Sequence, residues 1–422
     1  MGEYHIIGGN KLTGEIRING GKNAILPILA ATVLNESISI IHDCPEISDT
    51  YVAKEILESI GCKVVFENGT ITVDSSDASN FELPENFVRE MRSSIIFLGG
   101  VLGRFKKVKI SYPGGCELGL RPIDLHLKSI KQFGVDIVED HGFIICSTRK
   151  LVGAKINLDF PSVGATENIM LTAIFAEGET IINNCAKEPE IVDLQKFLNA
   201  MGADVQGAGS DTITINGVKK LHDVTHTVMP DRIVAGTYLI AAALTQGEIT
   251  LYNVSVQDMC PITSKLREVG CSIIEDTNKI HLKSPSILQP LEKVRTLPHP
   301  GFPTDMQAQL MSLLALAKGT SIINETIFES RNKHVSELIR MGADIILAND
   351  GTTSIIKGVN CLQGTTVSAK DLRGGASLIL AGLAAQGKTI IKESSHIERG
   401  YESIDNVLKS LGANITFHQD DK

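Results

Sequence analysis

The stretch from Tyr112 to His126 combines a thiol, a cation, a carboxylate and an imidazole within a few residues. It reads YPGGCELGLRPIDLH, so glycines stand on both sides of Cys116 and Arg121 follows five residues later. A glycine-rich loop buries little surface, and an exposed thiol is a liability unless the protein uses it. The pattern therefore predicts a functional thiol at Cys116, whereas the other seven cysteines are interpreted as structural.

Further polar residues stand where otherwise apolar helices are predicted to begin. Helices that are apolar on every face must be buried on every face, and five are predicted, at residues 23–33, 93–102, 233–244, 306–317 and 376–385. If three such helices are parallel in one domain, their N-termini converge and attract anions through free N–H groups and peptide dipoles. Lys22, Arg92 and Arg373 add positive charge at three of these starts. We therefore expect two such ends to face one cleft for an anionic substrate, although each single cation could equally be a solvated cap residue.

An internal repeat defines the elements that must position these residues. Six segments share an amphipathic helix, a glycine with a small residue, and then two strands, with the glycines at Gly61, Gly134, Gly202, Gly270, Gly342 and Gly412. The intervals are 73, 68, 68, 72 and 70 residues, which is the range of structural repeats. Glycine at this place fits a left-handed helix end.

The repeats predict an α/β (α+β) protein of two domains, each with three units, with sheets outside and the apolar helices in the centre. One domain is predicted to be discontinuous, with residues 1–20 and 230–422, and the other, with residues 21–229, carries the Cys116 loop. The segment from Tyr4 to Ile18 resembles the strand that leads into later units. An open solenoid of six stacked units is the alternative, but no capping repeat is visible.

Composition narrows the class of function. The net charge of −9 argues against nucleic acid and against an acidic membrane surface as the main partner. The eight cysteines form no CxxC pair and no zinc-ligand spacing, so reduced thiols in a reducing compartment are expected. No signal peptide and no membrane-spanning apolar stretch are recognised. We therefore expect a cytoplasmic enzyme.

Several motifs give the sequence a family resemblance. Pro113-Gly114-Gly115-Cys116, followed by Gly119, Arg121, Pro122, Asp124 and His126, resembles the active-site loop of the UDP-N-acetylglucosamine 1-carboxyvinyltransferases, which are enolpyruvyl transferases of peptidoglycan precursor synthesis. The resemblance runs the full length of the chain. Its other motifs include Gly21-Lys22-Asn23-Ala24, Met91-Arg92-Ser93-Ser94, Ser162-Val163-Gly164-Ala165-Thr166, Glu188-Pro189-Glu190-Ile191-Val192-Asp193, Phe302-Pro303-Thr304-Asp305, Phe328-Glu329-Ser330-Arg331, Asp371-Leu372-Arg373 and Ile397-Glu398-Arg399-Gly400.

The resemblance implies a two-domain inside-out α/β barrel of six βαβαββ-type repeats and a role for individual residues. Cys116 is implied as the proton donor and Asp305 as the base, with Lys22 and Arg399 as further catalytic residues. The substrates are phosphoenolpyruvate and UDP-N-acetylglucosamine, and no cofactor or metal is implied. The implied substrate-binding residues are Lys22, Asn23, Arg92, Arg121, Pro122, Ile123, Asp124, Leu125, Ser162, Val163, Gly164, Asp305, Ile327, Arg331, Arg373 and Arg399.

The chemistry of enolpyruvyl transfer suits these residue types. Adding a sugar hydroxyl across the enol phosphate needs a base for the hydroxyl proton and an acid for the methylene carbon. A carboxylate can accept the proton, and a thiol with an ordinary pKa of about 8.5 stays protonated enough to donate one. Lys22, Arg121 and Arg399 would neutralise the phosphate and carboxylate of phosphoenolpyruvate. The same thiol could be alkylated by an epoxide that resembles phosphoenolpyruvate.

Two other functions fit parts of the pattern. The sister enzyme of the same fold uses shikimate 3-phosphate as acceptor, but it needs no loop cysteine. A non-catalytic repeat protein that binds nucleotide sugars would not need Lys22, Cys116, Asp305 and Arg399 together. One departure from the family stands at Phe160-Pro161, where some members carry a lysine before the Ser-Val-Gly stretch. The oligomeric state is left open.

Overall fold

A computed structural model of the protein describes residues 2–114 and 123–419. Cys116, Arg121 and Pro122 of the predicted site lie outside these residues. Short 3-10 turns at Arg92–Ile96, Thr304–Met306 and Arg331–His334 precede three of the helices. The α-helices are α1 (Lys22–Thr32), α2 (Ser48–Ile60), α3 (Glu85–Glu90), α4 (Phe97–Phe105), α5 (Asp124–Lys131), α6 (Val163–Ala173), α7 (Pro189–Ala200), α8 (Arg232–Leu244), α9 (Val256–Glu268), α10 (Gln307–Leu314), α11 (Val335–Arg340), α12 (Leu372–Ala384), α13 (Ser395–Glu398) and α14 (Ile404–Ser410).

The strands are short, and most have five residues. They are β1 (Gly2–Ile7), β2 (Thr13–Arg17), β3 (Ile38–His42), β4 (Lys63–Glu67), β5 (Thr70–Asp74), β6 (Lys107–Ser111), β7 (Asp136–Asp140), β8 (Phe143–Ser147), β9 (Lys155–Asn157), β10 (Glu179–Asn183), β11 (Asp204–Gln206), β12 (Thr212–Asn216), β13 (Val224–Thr227), β14 (Glu248–Tyr252), β15 (Ser272–Asp276), β16 (Lys279–Lys283), β17 (Val294–Arg295), β18 (Thr320–Asn324), β19 (Asp344–Ala348), β20 (Thr353–Lys357), β21 (Thr366–Ser368), β22 (Lys388–Lys392) and β23 (Asn414–Gln419).

The chain divides into two compact units, each with its own hydrophobic core. We call residues 20–114 and 123–229 the inserted unit, and residues 2–19 and 230–419, which include both ends of the described chain, the terminal unit. In the inserted unit the central helix α4 packs against α1 and α6, and in the terminal unit α8, α10 and α12 all pack against one another. The mutual packing of the three central helices in the terminal unit differs from an open solenoid, in which each repeat contacts only its neighbours.

Six small sheets cover these central helices. The inserted unit has the sheets β13-β3-β5-β4, β6-β8-β7 and β11-β12-β10-β9, and the terminal unit has β15-β16-β14-β2, β17-β18-β20-β19 and β21-β22-β1-β23. We call the strand just before a central helix the leading strand of its repeat. In five of the sheets one parallel pair joins a leading strand to a strand that follows a central helix. The predicted α/β repeat fold is thus confirmed, and the described strands form separate sheets rather than one closed ring of hydrogen-bonded strands.

The six pivot glycines all lie in the left-handed region, with φ between 80° and 102°. Each follows an amphipathic helix, namely α2, α5, α7, α9, α11 or α14. A side chain is disfavoured in this conformation, so glycine ends the helix and directs the chain into the next strand. The predicted role of these glycines is confirmed.

The predicted lead-in from Tyr4 to Ile18 is two strands with different roles. The strand β2 pairs in parallel with β14 and leads into that repeat as expected. The strand β1 pairs antiparallel with β22 and β23 instead. It takes the place that β20 has in the sheet β17-β18-β20-β19, so the start of the chain completes the last repeat.

The predicted boundaries of three helices are wrong. The helix predicted at 93–102 begins as the 3-10 turn Arg92–Ile96 and runs on to Phe105, and the one predicted at 306–317 ends at Leu314. The helix predicted at 376–385 begins at Leu372. Gly374 and Gly375 disfavour a helix by propensity, but a Cβ on Gly375 would lie 2.6 Å from Ile397 Cγ1. Close packing therefore requires glycine inside this helix.

Candidate active site

In the terminal unit the starts of the three central helices lie close together. Asp231 caps α8, because its Oδ1 accepts hydrogen bonds from the N–H groups of Ile233 and Val234 at 2.8 and 2.9 Å. Asp371 caps α12 in the same way through the N–H groups of Arg373 and Gly374 at 3.1 and 3.0 Å. The expectation of free N–H groups is therefore wrong at these two helix starts, because the side chains of Asp231 and Asp371 already accept hydrogen bonds from them.

Asp305, in the 3-10 turn before α10, is held by two arginines. Its Oδ1 lies 3.1 Å from Arg331 Nη2, and its Oδ2 lies 2.9 Å from Arg373 Nη2 and 3.3 Å from Arg373 Nε. Both arginines are only 2% exposed, whereas the Asp305 side chain is 26% exposed. Ion pairing with two guanidinium groups favours the charged carboxylate, and the charged form is the one that can accept a proton.

Arg373 belongs to a buried group of polar side chains that connects the central helices α8, α10 and α12. Burial acts to lower the pKa of Arg373, but attraction to Asp305, Tyr401 and Asp231 outweighs burial and raises it. The guanidinium carbon lies 5.4 Å from the centre of the Tyr401 ring, which is within range for a cation–π contact. The Tyr401 hydroxyl in turn lies 3.0 Å from Thr237 Oγ1 of α8 and accepts a hydrogen bond from Gln309 of α10 at 3.1 Å. These hydrogen bonds hold Tyr401 in place, and its ring in turn supports the guanidinium group of Arg373.

The remaining predicted residues of the terminal unit lie at two places. Ile327 is half-buried in the loop after β18, and its N–H group donates to Glu325 Oε1 at 2.8 Å. Arg399 is half-buried directly after α13. Of the predicted residues in this unit, Asp305, Arg331 and Arg373 form one cluster. Arg331 also donates two hydrogen bonds to the carbonyl oxygen of Thr304.

In the inserted unit Lys22 is the first residue of α1, and it is buried. Its Nζ lies 2.7 Å from Asp49 Oδ2, and both side chains are at most 10% exposed. Asp49 is on the amphipathic helix α2 and was not predicted as a site residue. A buried cation needs such a partner, because an isolated buried charge is costly. Asn23, beside Lys22, is half-buried, and the N-cap residue of α1 is Gly21, which has no side chain to cap the helix.

Arg92 lies beside the start of the cysteine loop. It is half-buried, and its Nη1 donates to the carbonyl oxygen of Pro113 at 3.2 Å. Pro113 and Gly114 are the last described residues before Cys116. The arginine therefore fixes the near end of the segment that carries the predicted thiol.

The start of α6 brings together the predicted residues Ser162, Val163 and Gly164. The Ser162 hydroxyl caps the helix by accepting from the N–H group of Ala165 at 3.4 Å. The first residues of α6 are half-buried, whereas Glu167 is almost fully buried. Burial raises the pKa of Glu167, and the charges of Glu190 and Glu188 raise it further. Phe160, at the position where some family members carry lysine, is 42% exposed.

His126, on α5, is a buried neutral imidazole next to α6. Asn168 Oδ1 accepts from the N–H group of Gly99 at 2.6 Å, so Asn168 Nδ2 is the donor to His126 Nδ1 at 2.7 Å. Burial lowers the pKa of His126 to about 4, and Arg92 contributes to this shift. Three predicted residues, Ile123, Asp124 and Leu125, lie directly before His126 at the start of α5; they are buried, exposed and half-buried, respectively.

The cysteines of the described chain divide by exposure. Cys44, Cys62, Cys146, Cys185 and Cys271 are buried, whereas Cys361 is half-buried and Cys260 is exposed on α9. Burial raises the pKa of Cys44, Cys146 and Cys271 to about 12, which keeps these thiols protonated and unreactive.

Among the described residues, no group of three or more His, Cys, Asp or Glu side chains is placed to hold a metal ion.

Comparisons with known proteins agree over almost the whole chain. The EPSP synthase family (3-phosphoshikimate 1-carboxyvinyltransferase) matches residues 6–408. UDP-N-acetylglucosamine 1-carboxyvinyltransferase 2 of Caldanaerobacter subterraneus subsp. tengcongensis is 52% identical over 415 residues, which are 98% of this chain and 99% of that protein. The protein of the same name from Carboxydothermus hydrogenoformans is 48% identical over 417 residues, again 98% of this chain and 99% of that protein.

The chain belongs to the UDP-N-acetylglucosamine 1-carboxyvinyltransferase family. The crystal structure of the enolpyruvyl transferase NikO from Streptomyces tendae has the same fold, with a TM-score of 0.90, 26% identity and 99% of each chain covered. Within the described part of the chain, helices long and apolar enough to cross a membrane are absent.

The low pKa of His126 predicts a loss of stability in acid. In the unfolded chain the imidazole binds a proton near its ordinary pKa of 6.5, but in the folded protein it does so only near pH 4. Between these two values the unfolded state holds more protons, so the free energy of unfolding falls as the pH is lowered. We expect this residue to contribute a loss of roughly 3 kcal/mol from pH 6.5 to pH 4.

Urea unfolding of the parent and of His126→Gln at pH 7.5, 6 and 5 measures this contribution. Glutamine can accept the hydrogen bond from Asn168 but does not titrate, so His126→Gln should lose less stability in acid than the parent. His141→Gln is the control, because the His141 side chain is 91% exposed. Equal acid losses in His126→Gln and the parent would show that His126 is not the group responsible.

Proposed function

We propose that this chain transfers the enolpyruvyl group of phosphoenolpyruvate to the 3-hydroxyl of UDP-N-acetylglucosamine and releases phosphate, which is the first committed step of peptidoglycan synthesis. The observation that carries the proposal is the full-length similarity, at 48 to 52% identity, to proteins named for this activity. The proposed location is the cytoplasm. We also propose that the inserted and terminal units are the two three-repeat domains of the enzyme.

The proposed mechanism is an addition followed by an elimination. In the addition, the sugar hydroxyl oxygen bonds to the central carbon of phosphoenolpyruvate, its proton passes to Asp305, and Cys116 gives a proton to the methylene carbon. In the elimination, a proton leaves the new methyl group and phosphate departs, so the double bond is restored. The two arginines on Asp305 support this role because they hold its carboxylate in one orientation, as a positioned proton acceptor requires.

The charges of the substrates need separate partners. Lys22 and Arg399, together with Arg121, are proposed to hold the phosphate and carboxylate of phosphoenolpyruvate, with Asn23 beside them. The fixed ion pair of Lys22 with Asp49 supports this role, since preorganised charges stabilise a developing charge without rearranging.

The UDP-sugar is proposed to contact residues from several segments. They are Arg92, Arg121, Pro122, Ile123, Asp124, Leu125, Ser162, Val163, Gly164, Asp305 and Ile327. Arg331 and Arg373 were predicted as direct ligands, but both are 2% exposed and both bind Asp305. We therefore propose that these two arginines act through Asp305. That the helix starts of the two domains face one cleft stays a prediction.

A phosphate-release assay decides the acceptor. With phosphoenolpyruvate present, purified protein should release phosphate when UDP-N-acetylglucosamine is added and not when shikimate 3-phosphate is added. Release that depends on shikimate 3-phosphate would favour the sister activity, which the name of the matching family allows. Binding of UDP-N-acetylglucosamine without phosphate release would instead support a nucleotide-sugar-binding protein.

Replacing Cys116 tests the proton donor. Cys116→Ser should remain folded and lose at least about 100-fold in turnover, because a serine hydroxyl is a far weaker acid than a thiol. Cys116→Asp should keep part of the activity, since a carboxylic acid can donate a proton, and should resist an epoxide that alkylates the parent. Cys260→Ser is the control, because it removes an exposed thiol elsewhere. Parent-like turnover in Cys116→Ser would remove this residue from the mechanism.

A further inference from the structure

Five of the six repeats share one backbone contact, which makes their residues comparable position by position. The residue after the leading strand donates its N–H to the last residue of the neighbouring parallel strand. The pairs are Ile18 to Tyr252 at 3.0 Å, Leu158 to Asn183 at 3.1 Å, Val228 to His42 at 3.1 Å, Thr296 to Asn324 at 3.0 Å and Ala369 to Lys392 at 3.0 Å. The repeats therefore serve as an internal comparison of what each position needs for folding alone.

The repeat with β17 and β18 departs from the other four at this contact. The donor residue is buried in every case, but it is apolar in four repeats and polar only at Thr296. The residue after the parallel strand has a left-handed backbone at Asp43, Asn184, Asn253 and Glu393, whereas Glu325 does not. Asn184 and Asn253 use their amides to donate to the backbone carbonyls of Leu158 and Ile18, at 2.8 and 2.7 Å.

Glu325 reverses this arrangement, because a carboxylate only accepts. It is 3% exposed. Its Oε1 accepts from Thr296 Oγ1 at 2.9 Å and from the N–H groups of Ile327 and Phe328 at 2.8 and 3.1 Å. Its Oε2 accepts from Thr304 Oγ1 at 3.0 Å. One buried side chain thus joins the end of the leading strand, the loop with Ile327 and the turn with Asp305.

The segments held by Glu325 carry residues of the proposed site. Thr304 directly precedes Asp305, and its carbonyl oxygen accepts from Arg331 Nη2 at 2.9 Å. The turn is therefore fixed on one side by Glu325 and on the other by Arg331. All four donors to Glu325 named above are neutral, so burying this carboxylate is costly, whereas none of the residues at the same position of the other four repeats is buried. Folding alone does not require it, as the other repeats show.

We propose that Glu325 is a positioning residue, which sets the orientation of Asp305 through the Thr304 hydroxyl and holds the Ile327 loop through two backbone N–H groups. The proposal rests on the proposed function of Asp305 as the base. It goes beyond that function, because it proposes that a second carboxylate, which does not touch the substrate, controls the orientation of Asp305. A displacement of about 1 Å at a reacting group can lower the rate on the order of 100-fold.

The matched pair Thr304→Val and Thr304→Ser tests the link between Glu325 and Asp305. Valine has the shape of threonine but no hydroxyl, whereas serine keeps the hydroxyl. We expect Thr304→Val to lower kcat for phosphate release by about 10- to 100-fold, with the KM for phosphoenolpyruvate within about twofold of the parent, because ground-state binding does not use Asp305 as a base. Thr304→Ser should recover kcat to within about threefold of the parent.

Asn184→Gly is the control at the equivalent contact of another repeat. It removes the amide hydrogen bond, and glycine tolerates the left-handed backbone there. We expect its melting temperature to fall, because a hydrogen bond is lost, while its kcat stays that of the parent. Equal kcat values for Thr304→Val and the parent would overturn the positioning role, and so would a Thr304→Ser variant as slow as Thr304→Val.

Crystal structures of the parent and Thr304→Val give a readout that does not depend on the reaction. The distance from Asp305 Oδ2 to Arg373 Nη2, which is 2.9 Å in the parent, should exceed hydrogen-bonding distance, about 3.5 Å, in Thr304→Val. An unchanged Asp305 position would contradict the proposal even if the enzyme proved to use another acceptor. Absence of phosphate release in the parent would refute the proposed function alone.

Discussion

The ion pairs of Asp305 with Arg331 and Arg373 are the interaction on which the terminal unit depends. Two guanidinium groups that are almost fully buried need a compensating carboxylate, because removing one partner of a buried pair leaves an uncompensated charge. The same pairing keeps Asp305 charged and oriented. The residue proposed as the base is therefore also the residue that makes its own surroundings stable.

The apolar central helices explain why the charges gather at this place. A helix that is buried on every face has no side on which a charged group could reach water, so charged side chains are disfavoured except near its ends. The six repeats then use the same helix starts in different ways. Asp231 and Asp371 cap α8 and α12, Ser162 caps α6, and α1 carries Lys22 paired with Asp49. The proposed chemistry lies where individual repeats depart from the shared pattern.

Much of the fold could be predicted from the sequence, because its signals are local or periodic. The pivot glycines are spaced regularly, and the all-apolar helices are visible in the residue pattern. The helix start at Leu372 was missed because Gly374 and Gly375 hide it, although Asp371 is an ordinary N-cap residue. The two roles of the strands between Tyr4 and Ile18 depend on pairing with β14 and β22, far along the chain, and no local pattern encodes that.

The site was predicted only in part. The family motifs name Asp305, Arg331 and Arg373, and the structure brings these three together. Asp49 was missed because it lies on an amphipathic helix far from Lys22 in sequence. Glu325 was also missed, because Asp43 and Glu393 stand at the same position of two other repeats, and only the burial and backbone conformation of Glu325 set it apart. The signal that the sequence did contain is Thr296, which is polar where the other four repeats have an apolar residue.

The most direct test of the account is Asp305→Asn, which keeps the shape of the side chain and removes its charge. Turnover per folded molecule and the free energy of unfolding would be measured together. The account predicts a loss of at least about 100-fold in turnover and of roughly 3 kcal/mol in the free energy of unfolding, because two buried arginines lose their counter-charge. A folded Asp305→Asn protein with the turnover of the parent would contradict it.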